Sequence, residues 1–154
     1  MTTRAEGRAV AWDETLASRY GDDRLREECG VFGIFGHDDA AALTALGLHA
    51  LQHRGQEGCG IVAYDGRHFN QERRLGLVGD NFNKADVIDR LKGHIAVGHN
   101  RYSTTGAVVL RNVQPFFGDL DSGGFAFGHN GNLTNAHTLR DSLTSNGALF
   151  HSTS

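Results

Sequence analysis

The sequence predicts a layered α+β domain, and three observations predict it. Strand-like and helix-like stretches follow one another in mixed order, and strands are often joined by hairpin turns. Glycine is abundant at 21 residues while proline occurs once. Disorder usually brings both, so glycine here is positional: it sits in short polar phrases where the backbone must turn or approach another group closely.

The elements follow in order. Residues Met1 to Glu28 are rich in charge and poor in large apolar side chains, and read as a poorly packed leader, residues 1–28. At Cys29 the composition changes abruptly. Cys29 to Phe35 is a short apolar run closed by Gly36, which predicts a strand buried on both faces. Asp38 and Asp39 favour a helix start, Leu43, Leu46 and Ala50 of the Ala- and Leu-rich run Ala40 to Leu51 fall on one helical face, and Gly55 suits the stop. Gly58 to Tyr64 reads as a second strand, Asp65-Gly66 as a hairpin turn, and Arg67 to Arg73 as its partner. A helix is expected within Asn83 to Leu91. A strand over Gly93 to His99 leads into a polar loop. Gly124 to Gly128 is another short buried strand, and Asn135 caps a last helix reaching about Ser145.

The 154 residues make one domain, residues 29–154, with room for a core. Hydrophobic residues at 39% and charged residues at 21% describe a soluble globular chain. A net charge of -3 offers no electrostatic basis for nucleic acid or an acidic membrane as partner. No apolar run approaches the ~20 residues a membrane helix needs, and the leader lacks a secretory apolar stretch, so the expected location is cytoplasmic. The only cysteines, Cys29 and Cys59, make no disulfide framework, and no metal-ligand cluster has zinc-like spacing. The nine histidines are read as solvated or satisfied in the core.

Four phrases carry chemistry. In Glu28-Cys-Gly-Val-Phe-Gly-Ile34, an ordinary buried cysteine is the plain alternative. Removal of the leader, however, gives Cys29 both a thiol and a free α-amino group. That amine titrates at about 7.7–8.0, and so serves as a base beside its own nucleophile. Leu51-Gln-His-Arg-Gly-Gln-Glu-Gly58 reads by itself as a helix C-terminus with a glycine cap. Gly98-His-Asn-Arg-Tyr-Ser-Thr-Thr-Gly106 is either a polar loop or a carboxylate site, with Arg101 as a bidentate partner and hydroxyls from Ser103, Thr104 and Thr105. Gly128-His-Asn-Gly-Asn-Leu133 is either a plain Asn-Gly turn or an oxyanion hole made by the Asn130 amide and the Gly131 N–H.

Taken together and in this order, ECGVFGI, ALQHRGQEGCGI, GHNRYSTTG, QPF and GHNGNL resemble the glutaminase domain of the glutamine phosphoribosylpyrophosphate amidotransferase family. The resemblance covers Glu28 to Ser154. It implies the N-terminal-nucleophile (Ntn) hydrolase fold, a four-layer αββα sandwich of antiparallel sheets, here incomplete at its C-terminal end. It implies a leader cut away to expose Cys29 as nucleophile and base. It assigns Asn130 and Gly131 to the oxyanion hole, and Arg101 with Thr104 to the glutamine carboxylate. Arg54 supports the N-terminal cysteine, and Cys59 is left as core.

The implied substrate is L-glutamine. Its ammonia would convert phosphoribosyl pyrophosphate to 5-phosphoribosylamine, the first step of de novo purine synthesis. The family's transferase domain, for which magnesium is implied, lies outside these residues. So does an acidic residue that follows Phe150-His-Ser-Thr-Ser154 and binds the glutamine amino group. A fragment of a homo-oligomeric enzyme is therefore expected, inactive or a glutaminase only, with no cofactor of its own; the sequence is silent on an iron–sulfur cluster. Two alternatives stand beside this. One is the hexosamine-forming amidotransferase, which typically has tryptophan where Tyr102 stands. The other is a catalytically inactive relic with an uncleaved leader.

Overall fold

A computed structural model describes residues 28–102, 108–131 and 133–153. Four strands form one sheet: β1 (Gly30–Phe35), β2 (Gly58–Tyr64), β3 (Phe69–Leu75) and β4 (Ile95–Arg101), in the order β1-β4-β2-β3. Every pairing in it is antiparallel. A two-stranded antiparallel sheet follows, β5 (Phe116–Leu120) with β6 (Gly123–Phe127). The helices are α1 (Ala40–Ala50), two short ones, α2 (Val78–Asn81) and α3 (Ala85–Arg90), and α4 (Ala136–Ser145). The α+β expectation and the antiparallel sheets both hold.

Side-chain alternation divides the four-stranded sheet into two unlike faces. Cys59, Ile61 and Ala63 of β2 join Ala96 of β4, with Phe32 and Ile34 of β1, against Leu48 of α1, Val78 of α2 and Val87 of α3. This is the apolar core, and small residues in α1 let the helix lie close to the strands. The other face receives the second sheet. There a Cβ on Gly60 would fall 2.4 Å from the Gln114 carbonyl oxygen, so the segment leading into β5 lies directly on β2. The rings of Phe69 and Phe117 stand 5.1 Å apart across the two sheets, and Arg73 donates to the Val113 carbonyl at 3.2 Å.

Several sequence expectations shift. β6 is not a buried strand, since Phe125 and Phe127 are 40% and 45% exposed, and β1 is not buried on both faces: its exposure alternates, and Phe35 is 83% exposed. Its apolar run reflects strand propensity as well as burial. The partner of β2 starts at Phe69, two residues later than read, because Asp65 closes the turn by accepting from the N–H groups of Arg67 and His68. β4 continues past His99 through Asn100 and Arg101, where a polar loop was expected. Those polar side chains are buried by the layers above and below them, a tertiary effect that periodicity does not register. Helix α1 ends at Ala50, and Gly55 instead closes the 3-10 turn Gln52–Arg54. The helix buries Ala41, Thr44, Ala45 and Leu48 rather than the face of Leu43, Leu46 and Ala50, with Leu46 66% exposed, because the close approach to the sheet favours the smaller side chains. Helix α2 and strand β5 had no sequence reading, being too short to show a period. Asn135 does stand at the N-cap of α4, without a side-chain capping bond.

Candidate active site

The pairing of β1 with β4, Gly30 opposite Asn100, brings Cys29 to the end of the sheet beside Arg101 and Tyr102. Its Sγ lies 3.4 Å from both the N–H and the carbonyl oxygen of Tyr102, held by backbone groups of the third phrase. Two side chains converge on the Cys29 carbonyl oxygen. Arg54 Nε donates from 3.2 Å and Asn130 Nδ2 from 2.6 Å. The second and fourth phrases thus meet on the one residue that the first contributes, although Asn130 lies 101 positions away.

Arg54 also spans the boundary read as the end of the leader. Its Nη2 is 3.0 Å from Glu28 Oε2, so a single guanidinium holds the residues on both sides of the 28–29 peptide. The loop bearing Arg54 is fixed in turn by Gln52, whose Oε1 accepts from the Val78 N–H at 2.7 Å. Gly55 follows, where a Cβ would come within 2.8 Å of the Arg101 carbonyl oxygen; a larger residue would part the two phrases.

Arg101 is 4% exposed at the end of β4 and donates to the Asn112 carbonyl at 3.3 Å. Thr104, with Ser103 and Thr105, lies outside the described residues. Gly131 follows Asn130 on the exposed part of the same loop. The structure therefore gathers Cys29, Arg54 and Asn130 by direct contact, places Arg101 beside them through the backbone, and brings Gly131 with Asn130. Cys59 is elsewhere, buried among the core residues, where desolvation pushes its thiol up to about 12, only partly opposed by the Asn81 amide and Arg74. It stays protonated, in keeping with its reading as core.

Two residues of this neighbourhood were passed over in the sequence. His99 was counted among scattered histidines and Gln114 had no role beyond its place in the QPF phrase. Both are buried beneath the Asn130 loop and bond to the backbone of His129. Burial pushes the His99 imidazole down to about 4, with the neighbouring His129 and Arg101 charges adding to the effect and the bond to His129 opposing it. Their membership in the same phrases as Arg101 and Pro115 was the only signal available. Among the described residues no group of three or more His, Cys, Asp or Glu could hold a metal ion. No helix among them is long and apolar enough to cross a membrane.

Comparison with known proteins agrees with this geometry. Residues 40–147 match the family model of the class-II glutamine amidotransferases. An amidophosphoribosyltransferase of Rhizobium etli is 62% identical over 132 residues, which make up 86% of this chain and 27% of that enzyme. An amidophosphoribosyltransferase of Lacticaseibacillus casei is 50% identical over 130 residues, 84% of this chain and 67% of the relative. A solved structure described as that of the allosteric regulatory enzyme of purine biosynthesis superposes with a TM-score of 0.72 at 45% identity, over 78% of this chain and 26% of that one. The chain thus spans about a quarter of the length of the Rhizobium enzyme and of the solved chain. The Ntn-hydrolase expectation is met by this likeness, and the chain belongs to the class-II glutamine amidotransferases.

Proposed function

We propose that this chain is the glutamine-hydrolysing portion of an amidophosphoribosyltransferase, and that Cys29 becomes its nucleophile when water is added across the Glu28–Cys29 peptide bond. The observation that carries the reading is the convergence of Arg54 and Asn130 on the Cys29 carbonyl oxygen. A structural cysteine needs no such attention to its backbone. An N-terminal residue that must be base and nucleophile at once does, because its amine and thiol have to be held against the substrate together.

The steps follow from the groups present. The freed α-amine takes the Cys29 thiol proton, and the thiolate adds to the side-chain amide carbon of glutamine. Asn130 Nδ2 carries two hydrogens; one is spent on the Cys29 carbonyl and the other is left for the developing oxyanion, with the Gly131 N–H beside it. The amine returns its proton to the departing nitrogen, ammonia leaves, and a thioester remains. Water, deprotonated by the same amine, releases glutamate and restores the thiol. Arg101 grips the substrate carboxylate.

The ammonia then serves the amination of phosphoribosyl pyrophosphate in a transferase portion beyond these residues. Magnesium would act there, and no described residue is assigned to it. A cytoplasmic, homo-oligomeric whole enzyme fits this reading. Intact mass and N-terminal sequencing of the purified, active protein test it. A chain beginning Cys-Gly-Val-Phe is expected; full activity with residues 1–28 still attached would overturn it.

A further inference from the structure

The loop that carries Asn130 and Gly131 is exposed at His129, Asn130 and Gly131, and exposed loops of this kind are ordinarily mobile. Its chemistry tolerates little movement, since an oxyanion donor works only at a fixed place. Two buried side chains meet this need. Gln114, 3% exposed, accepts from the His129 N–H at 2.7 Å through Oε1. His99, 0% exposed, lies 3.2 Å from the His129 carbonyl oxygen through Nε2. A carbonyl only accepts, so Nε2 carries the hydrogen, and the buried Nδ1 is then the lone-pair nitrogen, unpartnered among the described residues. An imidazole kept neutral by burial holds this one tautomer across the working pH range. The peptides on either side of His129 are thereby gripped, one through its N–H and the other through its C=O, immediately before Asn130.

We propose that His99 and Gln114 are positioning residues for glutamine hydrolysis, a buried clamp on His129 that aims Asn130 and Gly131 at the oxyanion developing above Cys29. The inference rests on the reading of Cys29 as nucleophile and deepens it. Neither residue touches substrate. Each acts by fixing the backbone from which the oxyanion donors project, so its loss should be felt in the transition state more than in binding.

The test compares two polar replacements in the full chain with its cysteine freed. His99→Gln keeps an amide N–H near the ε position, whereas His99→Asn withdraws it to the δ position, out of reach of His129. Glutamine hydrolysis is followed as kcat and KM separately, and the nucleophile is followed by the rate of Cys29 alkylation with iodoacetamide, which needs no oxyanion hole. His99→Asn is expected to lower kcat about 10²-fold with little change in KM and with alkylation at the parent rate. His99→Gln should recover most of that loss. Gln114→Met should resemble His99→Asn, and the double variant should be no worse than the worse single one, because the two residues fix a single loop.

Equal kcat in His99→Asn and His99→Gln, whether high or low, would overturn the clamp, as would a rise in KM with kcat unchanged. If His99→Asn does not fold, Gln114→Met against Gln114→Glu, which keeps the acceptor, puts the same question. Failure of the underlying reading looks different: there Cys29→Ala itself retains activity.

Discussion

On one face of the four-stranded sheet, Cys59 lies with Ile61, Leu48 and Val78, sealed from water, its thiol held protonated by the surrounding apolar groups. At the end of the same sheet Cys29 is only partly buried, its sulfur between backbone polar groups and its carbonyl gripped by Arg54 and Asn130. The same amino acid thus meets opposite surroundings across two adjacent pairings, since Asn100 stands opposite both Gly30 and Cys59. The lesson is that the surroundings of a cysteine in this domain are set by the face and the strand end it occupies, not by residue type. The helix-covered side supplies rigidity. The side under the second sheet supplies buried polar groups, His99 and Arg101, that hold loops in place.

The sharpest way to break this contrast is to exchange each cysteine in turn. Cys29→Ala should lower glutamine hydrolysis by at least about 10⁴-fold, the scale seen when a nucleophile is removed. Cys59→Ala should leave kcat near the parent value. Its effect belongs to stability, a loss of about 1 kcal/mol for a small cavity, read from the thermal midpoint. Next in size, Asn130→Ala should lower kcat about 10²–10³-fold with the fold unchanged by circular dichroism.

The buried polar side of the sheet predicts a pH effect. His99 titrates near 4 when folded and near 6.5 when unfolded. Between these values the unfolded chain binds the proton and the folded one does not, so stability falls as pH is lowered from about 6.5 to about 4. The full effect of this one group is about 3 kcal/mol, complete below pH 4. Denaturant unfolding at stepped pH should show this slope, and His99→Gln should flatten it. A further change probes the contact between layers. Gly60→Ala places a methyl against the Gln114 carbonyl and should cost about 1–3 kcal/mol, with a matching fall in thermal midpoint.

Much of this was legible in the sequence, for physical reasons that differ by element. β2 was read to its exact bounds because Gly58-Cys-Gly-Ile-Val-Ala-Tyr64 is apolar throughout, as befits a central strand covered on both faces. The membership of Cys29, Arg54 and Asn130 in one site was legible only through the combination of phrases. No local period links residues that far apart. The polar end of β4 was misread as loop because Asn100 and Arg101 are buried by contacts with other layers, which hydrophobic pattern cannot report. His99 and Gln114 were missed for the same reason: a buried polar side chain looks like a surface one until its partner is placed. The contact of Arg54 with Glu28 was likewise invisible, since it depends on the turn Gln52–Arg54 folding back onto the start of β1.

The central claim is that one cysteine, at a newly made terminus, does the chemistry. Peptide mapping after reaction with an electrophilic glutamine analogue tests it most directly. The account predicts a single adduct on Cys29, in chains that begin at that residue, with Cys59 unmodified and no adduct in Cys29→Ala. An adduct on Cys59, or labelling that persists in Cys29→Ala, would contradict it.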